Sequence, residues 1–283
     1  MNILVTGAAG QLGKTIAKFV NDSDNRYFFC NSRELDITDG KSVEAFVISN
    51  SIDVIINCAS YTAVDRAEDE YELADAVNHK AVADMAMTAA RHGVTLIHIS
   101  TDYVFGGTAG TAYDEDSRTS PINVYGRTKA DGERAIAESG CRHIILRTSW
   151  LYASGGRNFV NTIYEKSADM PVLKVVEDQI GSPTYADDLA GLIIRIIEED
   201  MLDRTGIYNY SNEGVCSWYD FAHEICAQSG HLCDILPCKT DEFPRKAERP
   251  RFSVLDKTKV KKTFGIEIPH WKDSLTLYMN TLK

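Results

Sequence analysis

Asn2-Ile3-Leu4-Val5-Thr6-Gly7-Ala8-Ala9-Gly10-Gln11-Leu12-Gly13 opens the chain and decides how the rest is read. Its first five residues form a short apolar run, as expected of a strand buried on both faces. Three glycines follow at intervals of three, and a helical pattern then runs over 11–21. Small residues at a strand-to-helix turn let the backbone fold tightly and let a pyrophosphate approach the helix N-terminus. Gly7, Gly10, Gln11, Leu12 and Gly13 are therefore candidate dinucleotide contacts. A glycine turn that merely packs a helix against a sheet is the alternative.

Outward from this loop the pattern alternates. Strand-like runs at 27–31, 53–57, 95–100 and 143–148 are separated by helical patterns at 41–49, 69–91 and 121–138. Strands regularly separated by helices predict a doubly wound parallel sheet of the Rossmann type, class α/β. After Trp150 the rhythm breaks at Ser154-Gly155-Gly156, Pro171 and Pro183, and one more amphipathic helix is expected over 185–200. The expected division is a dinucleotide-binding domain over 1–150 plus about 177–205. A smaller C-terminal α/β lobe over about 151–176 and 206–283 is expected to hold the substrate. The cleft would lie between them.

Composition narrows the functional classes. The 283 residues are 44% hydrophobic, and 41 acidic against 30 basic residues leave a net charge of -11. That charge disfavours nucleic acid and anionic membranes as partners. The sequence holds no apolar run of the ~20 residues that a spanning helix needs and opens directly on a strand-like run, so a cytoplasmic location is expected. Seven cysteines without a Cys-x-x-Cys pair point to reduced thiols and to no metal site.

Past the second strand, Asn31-Ser32-Arg33 lacks the acidic residue that binds ribose hydroxyls. Arg33 is suited to a 2′-phosphate, which points to NADPH; Glu34 next door leaves NADH open. A solvated surface arginine is the plainer reading of Arg33. Tyr125 and Lys129 lie four apart and share a helical face. There the ammonium would stabilise a phenolate, lowering the tyrosine pKa from its usual ~10. Both follow a strand ending Ser100-Thr101-Asp102, where a doubly wound sheet opens its ligand crevice.

These stretches resemble a known family. The Gly-x-x-Gly-x-x-Gly loop is similar to that of extended short-chain dehydrogenases. Together with Tyr61-Thr62-Ala63-Val64-Asp65, Ser100-Thr101-Asp102-Tyr103-Val104-Phe105, Tyr125-Gly126-Arg127-Thr128-Lys129, Arg147-Thr148-Ser149-Trp150 and Arg249-Pro250 with Ser253, it resembles the dTDP-4-dehydrorhamnose reductases of that superfamily. The resemblance implies NAD(P)H-dependent reduction of a 4-keto sugar nucleotide. Thr101, Tyr125 and Lys129 would be catalytic. Asp36 and Ile37 would line the adenine side, and Ala59, Ser60 and Tyr61 the cofactor groove. Val64, Asp102, Tyr103 and Trp150 would contact the sugar or nucleotide, although Trp150 also suits a hinge core. Arg249, in the basic run from Arg245 to Arg251, would clamp the diphosphate unless that run is simply a charged surface loop. Gly106 departs from the family, which usually carries an acidic residue there.

The resemblance leaves rivals. A 4,6-dehydratase needs adjacent carboxylates, and Asp102 is followed by Tyr103. A 4-epimerase also uses the tyrosine. A non-catalytic NADP-binding regulator resembling the methionine adenosyltransferase beta subunit shares the fold. Some relatives pair through glutamate-bound magnesium, so Mg2+ at an oligomer interface is left without assigned ligands, and the chain is expected as monomer or homodimer.

Overall fold

A computed structural model describes residues 1–282. Its first half is β1 (Asn2–Thr6), α1 (Gln11–Phe19), β2 (Arg26–Cys30), α2 (Gly40–Ser49) and β3 (Val54–Asn57), then two short helices, α3 (Val64–Ala67) and α4 (Tyr71–Asp75). It continues through α5 (Ala81–His92), β4 (Thr95–Thr101), α6 (Val124–Ser139) and β5 (His143–Thr148). The second half holds β6 (Leu151–Tyr152), α7 (Phe159–Asp169), β7 (Val172–Val176), β8 (Ile180–Gly181), β9 (Thr184–Tyr185), α8 (Ala186–Glu198) and β10 (Gly206–Asn209). It ends with β11 (Cys216–Ser217), α9 (Trp218–Ser229), β12 (Asp234–Cys238), α10 (Thr258–Phe264) and α11 (Trp271–Met279).

Six parallel strands form the main sheet in the order β2-β1-β3-β4-β5-β10. Successive side chains of a strand point to opposite faces, so the apolar runs feed two cores. Ile3, Val5, Val54 and Ile56 pack with α1, α8 and α10, whereas Leu4, Ile55, Leu96 and Ile145 pack with α2, α5 and α6. Burial on both faces is why these strands read as continuous hydrophobic stretches rather than alternating ones. The direction of progression reverses between β1 and β3. That switch point is where a doubly wound sheet opens a crevice at its C-terminal edge.

A third core lies outside the sheet. Val160 and Ile163 of α7, Phe221 and Ile225 of α9, and Leu275 and Tyr278 of α11 enclose the parallel pair β7–β12. Two expectations change. Residues 206–209, assigned to the smaller lobe, form the edge strand β10 hydrogen-bonded to β5, and Val260 and Phe264 of α10 pack on the main sheet. Chain continuity in sequence hid this, because edge strands are recruited by tertiary pairing. The helix expected over 69–91 is also broken, with a π-helical turn at Ala76–Lys80 between α4 and α5. Such turns insert one extra residue and cluster at functional sites. Here it presents Asn78 to the loop after β3.

Candidate active site

The glycine loop is built for close approach. Gly7 has φ +65°, and a Cβ there would stand 2.5 Å from the Ala59 nitrogen; at Gly13 it would stand 2.7 Å from Ala8 Cα. Gly10 caps α1 without any side-chain hydrogen bond, so the first N–H groups of that helix face outward. A cavity of about 290 Å³ lies beside the loop, lined by Gly7, Gly10, Asn31, Asp36, Ile37 and Ala59 among others. These features fit the pyrophosphate and adenosine of a dinucleotide. Arg33 is exposed and does not line this cavity, and Glu34 accepts a hydrogen bond from the Asn31 N–H at 2.8 Å. Tyr61 is also off the groove. Its hydroxyl donates to Glu70, while its backbone N–H donates to Asn78.

A second cavity, about 410 Å³, adjoins the first through Gly10, Cys58 and Ser60. It brings together Gln11, Leu12, Val64, Thr101, Asp102, Tyr103, Tyr125, Lys129 and Trp150. Several local devices hold these groups. Asn123 caps α6 by accepting from the Gly126 N–H at 2.8 Å. Gly126 lets α6 press against the turn after β4, since a Cβ there would collide with the Tyr103 carbonyl. Asn78 accepts from Ser60 and Tyr61 and donates to Thr128, which ties the loop after β3 to α6.

Thr101 is buried at the end of β4, donates to Asp102 Oδ1 at 3.1 Å and accepts from the Tyr103 N–H. Enclosure pushes the Tyr125 phenol up to about 12, against the Thr101 and Ser60 hydroxyls, which pull it down. This corrects the expectation that Lys129 lowers it. Lys129 Nζ is engaged elsewhere, donating to the Ile99 carbonyl at 2.6 Å, and burial pushes its ammonium down to about 8. The Tyr-x-x-x-Lys spacing places both groups on one face without fixing which way the ammonium turns.

Sequence reading missed three parts of the site. Trp218 lies against Trp150, and nothing near it in the chain marks it. His98 contacts Lys129 from a strand that otherwise reads as apolar. A third cavity, about 360 Å³, is lined by Phe159, Lys166, Lys174, Trp218, Phe243, Arg245 and Arg249 and meets the second at Tyr103 and Trp218. Arg249 reaches it while paired with Asp65 at 2.9 Å. Of its basic neighbours, Lys246 pairs with Asp69 and Arg251 leans toward Asp178 and Asp241 on the surface. Gly106 turns the chain against Ser120, where a Cβ would stand 2.9 Å from the carbonyl oxygen.

With this geometry in view, the family model described as the RmlD substrate binding domain matches residues 1–283. The chain belongs to that family. A dTDP-4-dehydrorhamnose reductase of Aggregatibacter actinomycetemcomitans is 40% identical, over 96% of each chain. A spore coat polysaccharide biosynthesis protein of Bacillus subtilis (strain 168) is 37% identical, over 98% of this chain and 96% of that one. Among solved structures, a dTDP-4-dehydrorhamnose reductase from Bacillus anthracis str. Ames, in complex with NADP, superposes with a TM-score of 0.95 at 36% identity and 99% coverage of both chains. A UDP-glucose 4-epimerase from Thermus thermophilus, 17% identical with a TM-score of 0.82, shares the fold. No helix of the described residues is long and apolar enough to cross a membrane.

Proposed function

We propose that this member of the RmlD substrate binding domain family reduces the C4 ketone of dTDP-4-dehydro-L-rhamnose to the alcohol of dTDP-L-rhamnose. NADPH, when bound, supplies the hydride. The observation that carries this reading is the assembly of Thr101, Tyr125 and Lys129 in one cavity. On one side that cavity runs into the glycine loop. On the other it runs into the basic and aromatic third cavity. A sugar between two such grooves lies within reach of both a nicotinamide and a nucleoside diphosphate.

In this reading Thr101 and Tyr125 hold the C4 oxygen by their hydroxyls. Tyr125 gives its phenol proton to that oxygen as negative charge develops on it. A phenol held near 12 keeps its proton across neutral pH, which is the form a donor must have. Lys129 orients the nicotinamide ribose. Lys166, Lys174, Arg245 and Arg249 offer positive charge to the diphosphate, and Phe159, Trp218 and Phe243 offer flat faces to the base. A dehydratase is disfavoured because the residue after Asp102 is a tyrosine, which supplies no second carboxylate.

The experiment mixes the protein with NADPH and dTDP-4-dehydro-L-rhamnose and follows loss of the reduced-nicotinamide absorbance. Turnover is expected. A folded protein that binds NADPH but reduces no sugar nucleotide would overturn the reading and favour a regulatory, NADP-binding role.

A further inference from the structure

A buried chain of hydrogen bonds leads from β1 to Lys129. Thr6 Oγ1 donates to Asn57 Oδ1 at 2.7 Å, and the Ala59 N–H donates to the same oxygen at 3.1 Å. With its oxygen accepting twice, the Asn57 amide presents its Nδ2–H to His98 Nδ1, 3.1 Å away. His98 Nδ1 therefore accepts, and the neutral ring carries its proton on Nε2. That Nε2 faces Lys129 Nζ at 3.2 Å, while Nζ donates to the Ile99 carbonyl at 2.6 Å. Thr6, Asn57, His98 and Lys129 are each no more than 1% exposed, so water does not relieve an N–H pointed at an ammonium.

We infer that His98 is a positioning residue for Lys129: its Nε2–H is aimed at the lysine nitrogen, which it holds against the Ile99 carbonyl and whose amine form it favours over the ammonium. The other ionisable groups facing Lys129 are Cys58, just past β3, and Tyr125 and Glu133 of its own helix. Glu133 favours the ammonium, but its carboxylate is bound by Arg147 at 2.7 Å and by Ser100 at 2.5 Å. Burial first, and the Lys129 charge second, hold the His98 ring well below its ordinary value, in keeping with a neutral imidazole. The consequence for catalysis rests on the function proposed above. There Lys129 orients the nicotinamide ribose, and His98 together with the Ile99 carbonyl fixes where its nitrogen sits.

The test does not require turnover. The full-length protein is labelled with 13C at lysine Cε, and the Lys129 resonance, assigned by its absence in Lys129→Met, is followed against pH. The wild-type midpoint is expected near 8. In His98→Gln the side-chain oxygen can turn to accept from Nζ. In Asn57→Asp the acceptor at that position reverses the His98 tautomer. Both changes favour the ammonium and should raise the midpoint by about one pH unit or more, tenfold in proton affinity. The alkaline limb of the kcat profile should move with it. A wild-type midpoint at the ordinary lysine value of ~10.4 overturns the inference whatever the variants do. So does an unchanged midpoint in a folded variant that has merely lost thermal stability, which would make His98 a packing residue.

Discussion

The indole rings of Trp150 and Trp218 stack with centroids 3.6 Å apart and planes 14° apart. One ring follows β5 and the other begins α9, so the pair joins the end of the main sheet to α9, and both rings line the second cavity. Trp150 reaches this position with φ +49°. A non-glycine residue held there costs of order 1–3 kcal/mol and persists when its surroundings over-determine it. Gly181 is part of those surroundings, since a Cβ there would stand 2.7 Å from the Trp150 ring.

Trp218→Leu should therefore raise KM for the sugar nucleotide and leave NADPH affinity unchanged, because the glycine loop lies on the other side of the cavity. Loss of the aromatic pair should also lower stability by about 0.5–1.5 kcal/mol. Steady-state kinetics and urea unfolding would check both. An unchanged KM would reduce Trp218 to a packing residue.

Tyr125→Phe removes one oxygen and keeps the ring, so folding and cofactor binding should survive while kcat falls on the order of 10²–10⁴-fold. Thr101→Val should cost less, since one hydrogen bond is lost. In the wild type the phenol, held up to about 12, keeps its proton throughout the neutral range. An alkaline limb near 8 in the kcat profile would then belong to Lys129 losing its ammonium proton as pH rises. Normal turnover by Tyr125→Phe would remove the mechanism.

Asp102 gives a prediction about stability. Burial pushes its carboxyl up to about 7, against the nearby Ser253 and Thr101 hydroxyls, and among the described residues Oδ2 is enclosed without a hydrogen-bond partner. An unfolded aspartate ionises near ~3.9, so between the two values the native state holds more protons than the unfolded one. Stability should fall as pH rises from about 4 to about 7 and then level off. Asp102→Asn should flatten that slope and raise stability at pH 8 by up to a few kcal/mol. Its cost should appear in sugar-nucleotide turnover. Thermal melts of both proteins across this range would show it.

Arg33 is exposed and free to meet a 2′-phosphate, whereas Glu34 is turned back to the Asn31 N–H. NADPH should bind more tightly than NADH, and Arg33→Ala should narrow the gap by roughly 1–3 kcal/mol. Calorimetric titration of both cofactors against both proteins would decide it. Equal affinities throughout would return Arg33 to the solvated surface.

Arg249 reaches the third cavity through its pairing with Asp65. Arg249→Ala should raise KM for the sugar nucleotide several-fold without touching NADPH affinity. Asp65→Asn should have a smaller effect, because it loosens the guanidinium but keeps its charge. If Arg249→Ala leaves KM unchanged, the diphosphate lies elsewhere.

Much of this site was legible in the one-dimensional pattern because its chemistry sits at strand ends. The glycine turn after β1 and Tyr125 and Lys129 one helical turn apart follow from short-range periodicity, whereas Thr101 at the end of β4 was singled out by the resemblance to the family. The parallel sheet follows from apolar runs separated by helices. Trp218, His98 and the cavity between Phe159, Lys166, Lys174 and Phe243 did not, because each depends on which distant segments pack together. The same holds for β10, a four-residue strand whose place at the sheet edge is set by hydrogen bonding to β5. Local sequence determined which residue types stand at the crevice and on which face of α6 they project. Tertiary packing decided their electrostatic surroundings, since desolvation, the contact of Asn57 with His98 and the partner chosen by Lys129 Nζ arise from groups that meet after the chain has folded.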